Sequence, residues 1–186
     1  TTEIYTLSLH DALPIWMGLS QAARNRPMLS TIELFQLKAN AEARTAWLAA
    51  DEAGRRRILR EQEADGGPAV EVSQLFATGP VAIDTVEWFA TAADMARVMD
   101  WLRVNADDTA KAVLAISPGM ARDAAGAFSY VGFKGGSEPG VINLTYLIRN
   151  NAGVWHVVTA GWNNPAALVD EAAFHALIVR AARLVR

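Results

Sequence analysis

The sequence predicts an α+β fold in which a helical region precedes a three-stranded antiparallel sheet and a C-terminal helix. In the first two thirds of the chain, capping residues stand before apolar residues at helical spacing. After Pro118 the pattern changes to runs rich in β-branched and aromatic residues, separated by turn sequences. Because the strands follow the helices and do not alternate with them, the pattern is typical of α+β and not of α/β proteins.

The helices are predicted from their caps and their apolar spacing. Ser30 and Glu33 form a capping box that predicts a helix from about Thr31 to Ala50, with these apolar residues near helical spacing: Leu34, Leu37, Ala41, Trp47 and Leu48. The next segment, DEAGRRRILREQEAD, predicts a charged, solvated helix. The segment VEVSQLFATGPVAIDTVEWF is interpreted as loop and short irregular structure, because Gly79 and Pro80 interrupt it.

Two further helices are expected before the sheet. Thr91 and Asp94 form a second capping box in front of the amphipathic segment TAADMARVMDWLRV. The segment DDTAKAVLAIS predicts another helix, which ends at Pro118 and Gly119.

The sheet is predicted from three runs, AFSYVGFKGG, VINLTYLIRN and GVWHVVTAGW. The turn sequences SEPG and NNAG separate them, which predicts three antiparallel strands in a meander. The closing segment ALVDEAAFHALIVRAARLV predicts a helix whose apolar stripe lies on the sheet: Phe174, Leu177, Ile178, Ala181 and Val185.

Composition and charge exclude several classes of function. The net charge is −3 and no basic block accumulates, so nucleic acid is not expected as a partner. No apolar run is long enough for a membrane-spanning helix. The chain has no cysteine, and His10, His156 and His175 lack the spacing of metal-binding motifs, so neither a metal site nor a cofactor is expected.

The stretch YVGFKGGSEPG, residues 130–140, is the strongest candidate for a functional site. Lys134 stands at the end of a predicted strand and is followed by Gly135, Gly136 and Ser137. A cation beside backbone without Cβ atoms allows an extended anionic substrate to approach and pair with the strand. The alternative is a hairpin with an exposed lysine at the strand end. A phosphate-binding loop is excluded, because the glycines follow the lysine and lead into a strand.

These motifs resemble the C-terminal part of the penicillin-recognising serine hydrolases, the β-lactamase-like superfamily, and in particular its class A-like branch. In that family a strand carries Lys-Thr/Ser-Gly, and two antiparallel strands and a long terminal helix follow. FKGGSEPGVINLTYLI, GVWHVVTAGWNNP and the closing helix have the same order. The resemblance covers about residues 128–186 and implies a partial β-lactamase or transpeptidase-like fold.

The resemblance implies roles for the four residues of the motif. Lys134 would bind the substrate carboxylate, Gly136 matches the glycine of the motif, and the N–H of Ser137 would donate to the oxyanion. Gly135 stands where the family has Thr or Ser, which favours a related ester or amide hydrolase over a β-lactamase. The parent enzyme would act on a small-molecule or peptide-like acyl group through an acyl-serine, and the family implies a periplasmic or secreted location.

The family's nucleophile motif, S-x-x-K, and its second motif, S-x-N or Y-x-N, do not occur in this sequence. No catalytic residue is therefore assigned, and the isolated chain is expected to be inactive. Residues 1–15 resemble the translation of a common sequencing adapter, so we expect residues 1–16 to be a non-native leader. Residues 17–186 are then interpreted as one C-terminal fragment of the hydrolase domain.

Two other interpretations remain open at the level of sequence. The chain could be a non-catalytic domain that binds a peptide by strand addition at the Lys134 edge. It could also be a structural α+β domain without a site. The sequence alone favours no oligomeric state.

Overall fold

The computed structural model describes residues 18–64 and 70–186. The chain forms two compact units that divide between Ala90 and Thr91. The expected non-native leader, residues 1–16, lies outside the described residues. None of the helices in the described ranges is both long enough and apolar enough to span a membrane.

In the described part of the first unit, the regular elements are helices. After a 3₁₀ turn at Ala22–Asn25 come α1 (Thr31–Ala39), α2 (Ala41–Ala49), α3 (Glu52–Ala64) and the short α4 (Val72–Leu75). The capping box of Ser30 and Glu33 at the start of α1 is confirmed. The prediction of one helix over residues 31–50 is wrong, because Asn40 has an extended backbone and its side chain accepts a hydrogen bond from the Ala43 N–H. Asparagine side chains compete with the helical backbone in this way and favour caps.

A small apolar core holds the first unit together. Its buried members come from the first three α-helices, from the segment before α1 and from the segment after α4: Leu29, Leu34, Leu37, Trp47, Ile58 and Val86. Leu48, predicted on the same stripe as Trp47, is 46% exposed. The side-chain amide of Asn25 binds the backbone of Phe89, near the end of this unit. It accepts a hydrogen bond from the Phe89 N–H at 2.7 Å and donates one to the Phe89 carbonyl at 2.8 Å.

The second unit contains the predicted sheet. Its elements are α5 (Ala92–Asn105), α6 (Asp108–Ala115), α7 (Arg122–Ala125), β1 (Tyr130–Glu138), β2 (Val141–Arg149), β3 (Trp155–Asn163), α8 (Glu171–Ala182) and a final 3₁₀ turn at Arg183–Val185. The strands pair antiparallel in the order β1-β2-β3. The α+β arrangement is thus confirmed, as is the capping box of Thr91 and Asp94 at the start of α5.

Helices pack against both faces of the sheet. On one face, α8 covers a core of Phe128, Val131, Ile142, Leu144, Tyr146, Ile148, Ile178 and Ala182. On the other face α6 approaches β1, and the Tyr130 hydroxyl donates to the Lys111 carbonyl at 2.8 Å. The prediction that Leu177 lies on the sheet is wrong, since this residue is 61% exposed. Adjacent helical residues point about 100° apart, so a stripe centred on Ile178 turns Leu177 to solvent.

One main-chain carbonyl connects three parts of the second unit. The carbonyl of Gly119 accepts the Tyr146 hydroxyl of β2 at 2.5 Å and lies 2.7 Å from Nε2 of His175 in α8. Gly119 has φ +60°, and a Cβ there would lie 2.5 Å from the Phe133 ring. Glycine is therefore required at this position by backbone conformation and by space.

Candidate functional site

The four residues of the predicted site lie together in the second half of β1. This strand is an edge strand of the described sheet, because it pairs with β2 alone. In the register of the ladder, Lys134 lies opposite Thr145, Gly135 opposite Leu144, Gly136 opposite Asn143 and Ser137 opposite Ile142. The prediction that Lys134 stands at the end of the strand and that Ser137 lies in the turn is wrong, because β1 continues to Glu138 and the loop consists of Pro139 and Gly140. The sheet order places this strand at an edge.

The hairpin between β1 and β2 determines which backbone groups face outward. Its loop consists of Pro139 and Gly140, so the closing pair, Glu138 and Val141, is a hydrogen-bonded pair. Hydrogen-bonded and non-hydrogen-bonded pairs alternate along an antiparallel ladder. Gly135 and Ser137 consequently direct their N–H and C=O groups away from β2. The edge thus offers two donors and two acceptors to an extended chain.

The side chain of Lys134 supports this orientation. It lies on the face opposite to that of Phe133, is exposed, and its ammonium donates to the main-chain carbonyl of Gly135. The positive charge therefore lies directly at the outward-facing part of the edge. A carboxylate placed beside the strand could accept from the same ammonium, and hydrogen bonds between two charged groups are shorter and stronger than neutral ones.

Packing explains glycine at one of the two glycine positions. A Cβ on Gly135 would lie 2.7 Å from Cζ of Phe133 and 3.1 Å from Cδ2 of Leu144. Phe133 in turn packs on Tyr146, with 4.8 Å between ring centroids. A threonine or serine at position 135 would therefore require the Phe133 ring to move. Gly136 differs, because nothing lies within 4 Å of a Cβ built there.

Sequence analysis missed a row of polar side chains that crosses the sheet on the same face as Lys134. Thr145 is fully buried, and its hydroxyl lies 2.8 Å from that of Thr159 and 3.1 Å from Oδ1 of Asn143. Thr145 stands between Lys134 and Thr159 in the register of the sheet. The only signal in the sequence is the i, i+2 spacing of Asn143 and Thr145, which puts both on one face of a strand.

His156 and His175 take part in structural hydrogen bonds. His175 contacts the Gly119 carbonyl, so its Nε2 carries the proton, and Nε2 of His156 lies 3.5 Å from Nδ2 of Asn150. Within residues 18–64 and 70–186, no group of three or more His, Cys, Asp or Glu side chains is arranged to hold a metal ion.

A cavity of about 460 Å³ lies beside β3, on the same face of the sheet as Lys134. Its apolar wall is formed by Leu147, Trp155 and Val157, and its polar wall by residues of α5: Arg97, Asp100 and Arg103. Both arginines have carboxylate partners, Asp94 for Arg97 and Asp100 for Arg103. The cavity does not include any residue of the predicted site.

Comparison with known proteins identifies no family for this chain. No protein-family model matches it, and no curated protein matches its sequence. The geometry of the β1 edge is therefore the basis for a functional proposal.

Proposed function

We propose that this chain is part of a serine hydrolase of the β-lactamase-like superfamily and supplies the strand edge that binds the acyl substrate. One observation carries the proposal. Lys134 lies on an edge strand at the point where Gly135 and Ser137 direct their backbone groups outward. The two strands and the helix that follow agree with the order of elements in that superfamily.

Each group on the edge has a chemical task in this proposal. The ammonium of Lys134 exchanges its bond to the Gly135 carbonyl for a bond to a carboxylate of the substrate. The N–H of Ser137 donates to the acyl oxygen as negative charge develops on it, which is the task of an oxyanion-hole donor. The Gly135 carbonyl then remains free to accept an N–H of an extended substrate.

The nucleophile must come from residues outside this sequence, because no serine here is followed by a lysine three positions later. Acylation of that serine would release the leaving group, and water would then release the acyl group. The isolated chain is therefore proposed to bind without turnover.

The test begins with the coding sequence upstream of Met17. We expect an in-frame S-x-x-K there, and we expect the protein extended to include it to react with a fluorophosphonate at that serine. In the extended protein, Lys134→Ala should lower the rate of acylation by a carboxylate-bearing substrate about 10- to 100-fold, the equivalent of one hydrogen bond to a charged group.

Lys111→Ala is the matched control. The main-chain carbonyl of Lys111 accepts the hydrogen bond from Tyr130, and this carbonyl is still present when the residue is alanine. This variant removes a lysine from the same unit and should leave the acylation rate unchanged. A ribosome-binding site directly before Met17, or labelling of a serine within residues 18–186, would reject the proposal.

A second candidate function uses the same edge without catalysis. The outward-facing N–H and C=O groups of Gly135 and Ser137 are what an extended peptide needs in order to add a strand. In this alternative the chain binds peptides by strand addition and does not cleave them.

A random-peptide display selection on the isolated chain tests strand addition, and the upstream coding sequence separates the two functions, because strand addition does not require an in-frame S-x-x-K there. Strand addition predicts that peptides are captured, remain intact, and lose affinity at least about tenfold for Ser137→Pro, which removes an outward N–H but no bond to β2. Peptides that bind Ser137→Pro as tightly as the unchanged chain would contradict this alternative.

A further inference from the structure

The aromatic ring of Phe133 occupies the space above Gly135, on the α8 face of β1. The two residues are two positions apart in the strand, so their side-chain positions lie on the same face of the sheet. A Cβ built on Gly135 would lie 2.7 Å from Cζ and 3.2 Å from Cε1 of Phe133. The tip of the ring therefore covers the glycine that directs its backbone groups outward.

The neighbours of Phe133 fix the ring in this position. The backbone of Gly119 approaches it so closely that a Cβ there would lie 2.5 Å from the ring. Tyr146 lies opposite Phe133 in the register of the ladder, and its own hydroxyl is held by the Gly119 carbonyl. Phe133 is half-buried and packs against the core beneath α8. A ring that is already fixed loses little conformational entropy when a ligand contacts it.

Backbone pairing determines which side chain of an extended substrate meets this ring. A substrate residue that forms a hydrogen-bonded antiparallel pair with Gly135 exchanges both main-chain hydrogen bonds with it. Side chains of directly opposite residues share one face of the sheet, with Cβ positions about 4.5–5.5 Å apart. The substrate side chain therefore lies on the α8 face. There, carbon atoms of Phe133 and Leu144 occupy the space above Gly135.

The neighbouring side chains of the substrate lie on the other face of the sheet, because successive residues of a strand alternate. Lys134 is exposed on that face, and its ammonium reaches the Gly135 carbonyl at the edge. One face of the bound substrate thus meets a positive charge, and the other face meets an apolar surface.

We propose that Phe133 makes the β1 edge selective for extended acyl substrates with an aromatic or branched apolar side chain at the residue that pairs with Gly135. The substrate class is then a peptide-like acyl compound with a carboxylate on the Lys134 face and an apolar side chain on the α8 face. This inference rests on the proposed function in that an extended substrate pairs with the β1 edge, but it does not require the nucleophile.

The experiment selects peptides on the full chain and then removes the ring. Random nonapeptides displayed on phage are captured on the unchanged protein, and those that Ser137→Pro weakens are assigned to the β1 edge. We expect one position of these peptides to be mainly aromatic or branched apolar. Serine at that position of a synthetic peptide should weaken binding about 3- to 10-fold, the range for an aromatic contact. With Phe133→Ala, the same serine should weaken binding less than about twofold.

Phe174→Ala is the matched control. Phe174 also packs against the core beneath α8, but it contacts Trp162 of β3, with 6.3 Å between ring centroids, and not the β1 edge. This variant removes a phenylalanine ring from the same core. Serine in the peptide should therefore still weaken binding to it about 3- to 10-fold.

An NMR measurement on the unchanged protein tests the contact without any variant. The apolar side chain of the bound peptide should give nuclear Overhauser effects to the ring protons of Phe133 and none to those of Phe174. If Phe133→Ala fails to fold, this measurement decides the question.

The outcomes separate this inference from the proposed function. Peptides at the β1 edge without an apolar position, a preference that persists in Phe133→Ala, or a bound side chain without contact to the Phe133 ring would overturn the inference alone. Failure to capture any peptide at this edge would overturn the inference together with substrate pairing there. An upstream coding sequence without an in-frame S-x-x-K would reject the hydrolase, whereas the selectivity of the edge would still be observed.

Discussion

Replacing Tyr146 by alanine is expected to destabilise the second unit by about 3–5 kcal/mol, the usual cost of deleting a buried aromatic side chain. Tyr146 is fully buried in the core beneath α8, packs against Phe133, and donates its hydroxyl proton to the Gly119 carbonyl. Its removal leaves a cavity between the sheet and the loop that contains Gly119. The measurement is the opening free energy of the β2 amides by hydrogen exchange, which reports on this unit alone.

Tyr146→Phe is the control that separates the ring from its hydroxyl. It keeps the packing and removes one hydrogen bond, so the expected loss is about 1 kcal/mol. The Gly119 carbonyl keeps its contact with His175 in this variant. A phenylalanine variant as unstable as the alanine variant would show that the hydroxyl, and not the ring, holds this part of the core.

Comparing the unchanged chain with Tyr146→Phe should also reveal a pH effect with a defined direction. Burial raises the pKa of Tyr146 from its ordinary value of 10.0 to about 12. The folded state therefore keeps its proton where the unfolded chain has lost it, and this contribution to stability is complete below pH 10. It is lost as the pH rises from 10 through about 12. Tyr146→Phe should lose less stability than the unchanged chain over that interval.

In the first unit, Glu87→Gln is expected to lower stability by about 3–5 kcal/mol, the usual cost of breaking a buried ion pair by removing one partner. The Lys38 side chain of α1 is 0% exposed and forms an ion pair with Glu87, which is 15% exposed. With glutamine at position 87, the buried ammonium faces a neutral amide. The opening free energy of the α1 amides by hydrogen exchange measures the loss.

Two further variants identify the charge as the cause. Adding Lys38→Met to Glu87→Gln removes the buried ammonium, so the double variant should be more stable than Glu87→Gln alone. Glu61→Gln breaks the exposed pair with Arg57, whose side chains are 65% and 66% exposed, and should cost less than about 0.5 kcal/mol. If the double variant is less stable than Glu87→Gln alone, this explanation is contradicted.

Local sequence was sufficient where the physical cause is itself local. The capping boxes at Ser30 and Thr91 depend on residues three positions apart, and both are present. The strands follow from alternating β-branched and aromatic residues and from two short turns. The helix expected over residues 31–50 failed for a reason of the same local kind, since Asn40 can cap a helix as well as continue one.

The candidate site was partly predictable for the same reason. Lys134, Gly135, Gly136 and Ser137 are consecutive, so the sequence could identify them as one unit, although it placed Ser137 in the turn and the structure has it in β1. The direction of their backbone N–H and C=O groups could not be predicted from the sequence, because it depends on where the hairpin closes and on which strand is at the edge. The polar row of Asn143, Thr145 and Thr159 involves two strands and became visible only through their register.

The sequence by itself determined the order of the elements in the second unit and the chemistry available on β1. Capping, alternation and turn preference act over a few residues, and a linear pattern records them. Only the tertiary structure decided that β1 and β3 are edges, that Gly135 has no room for a Cβ, and that Lys38 is buried beside Glu87. These properties depend on atoms that are distant in sequence, and packing alone brings such atoms together.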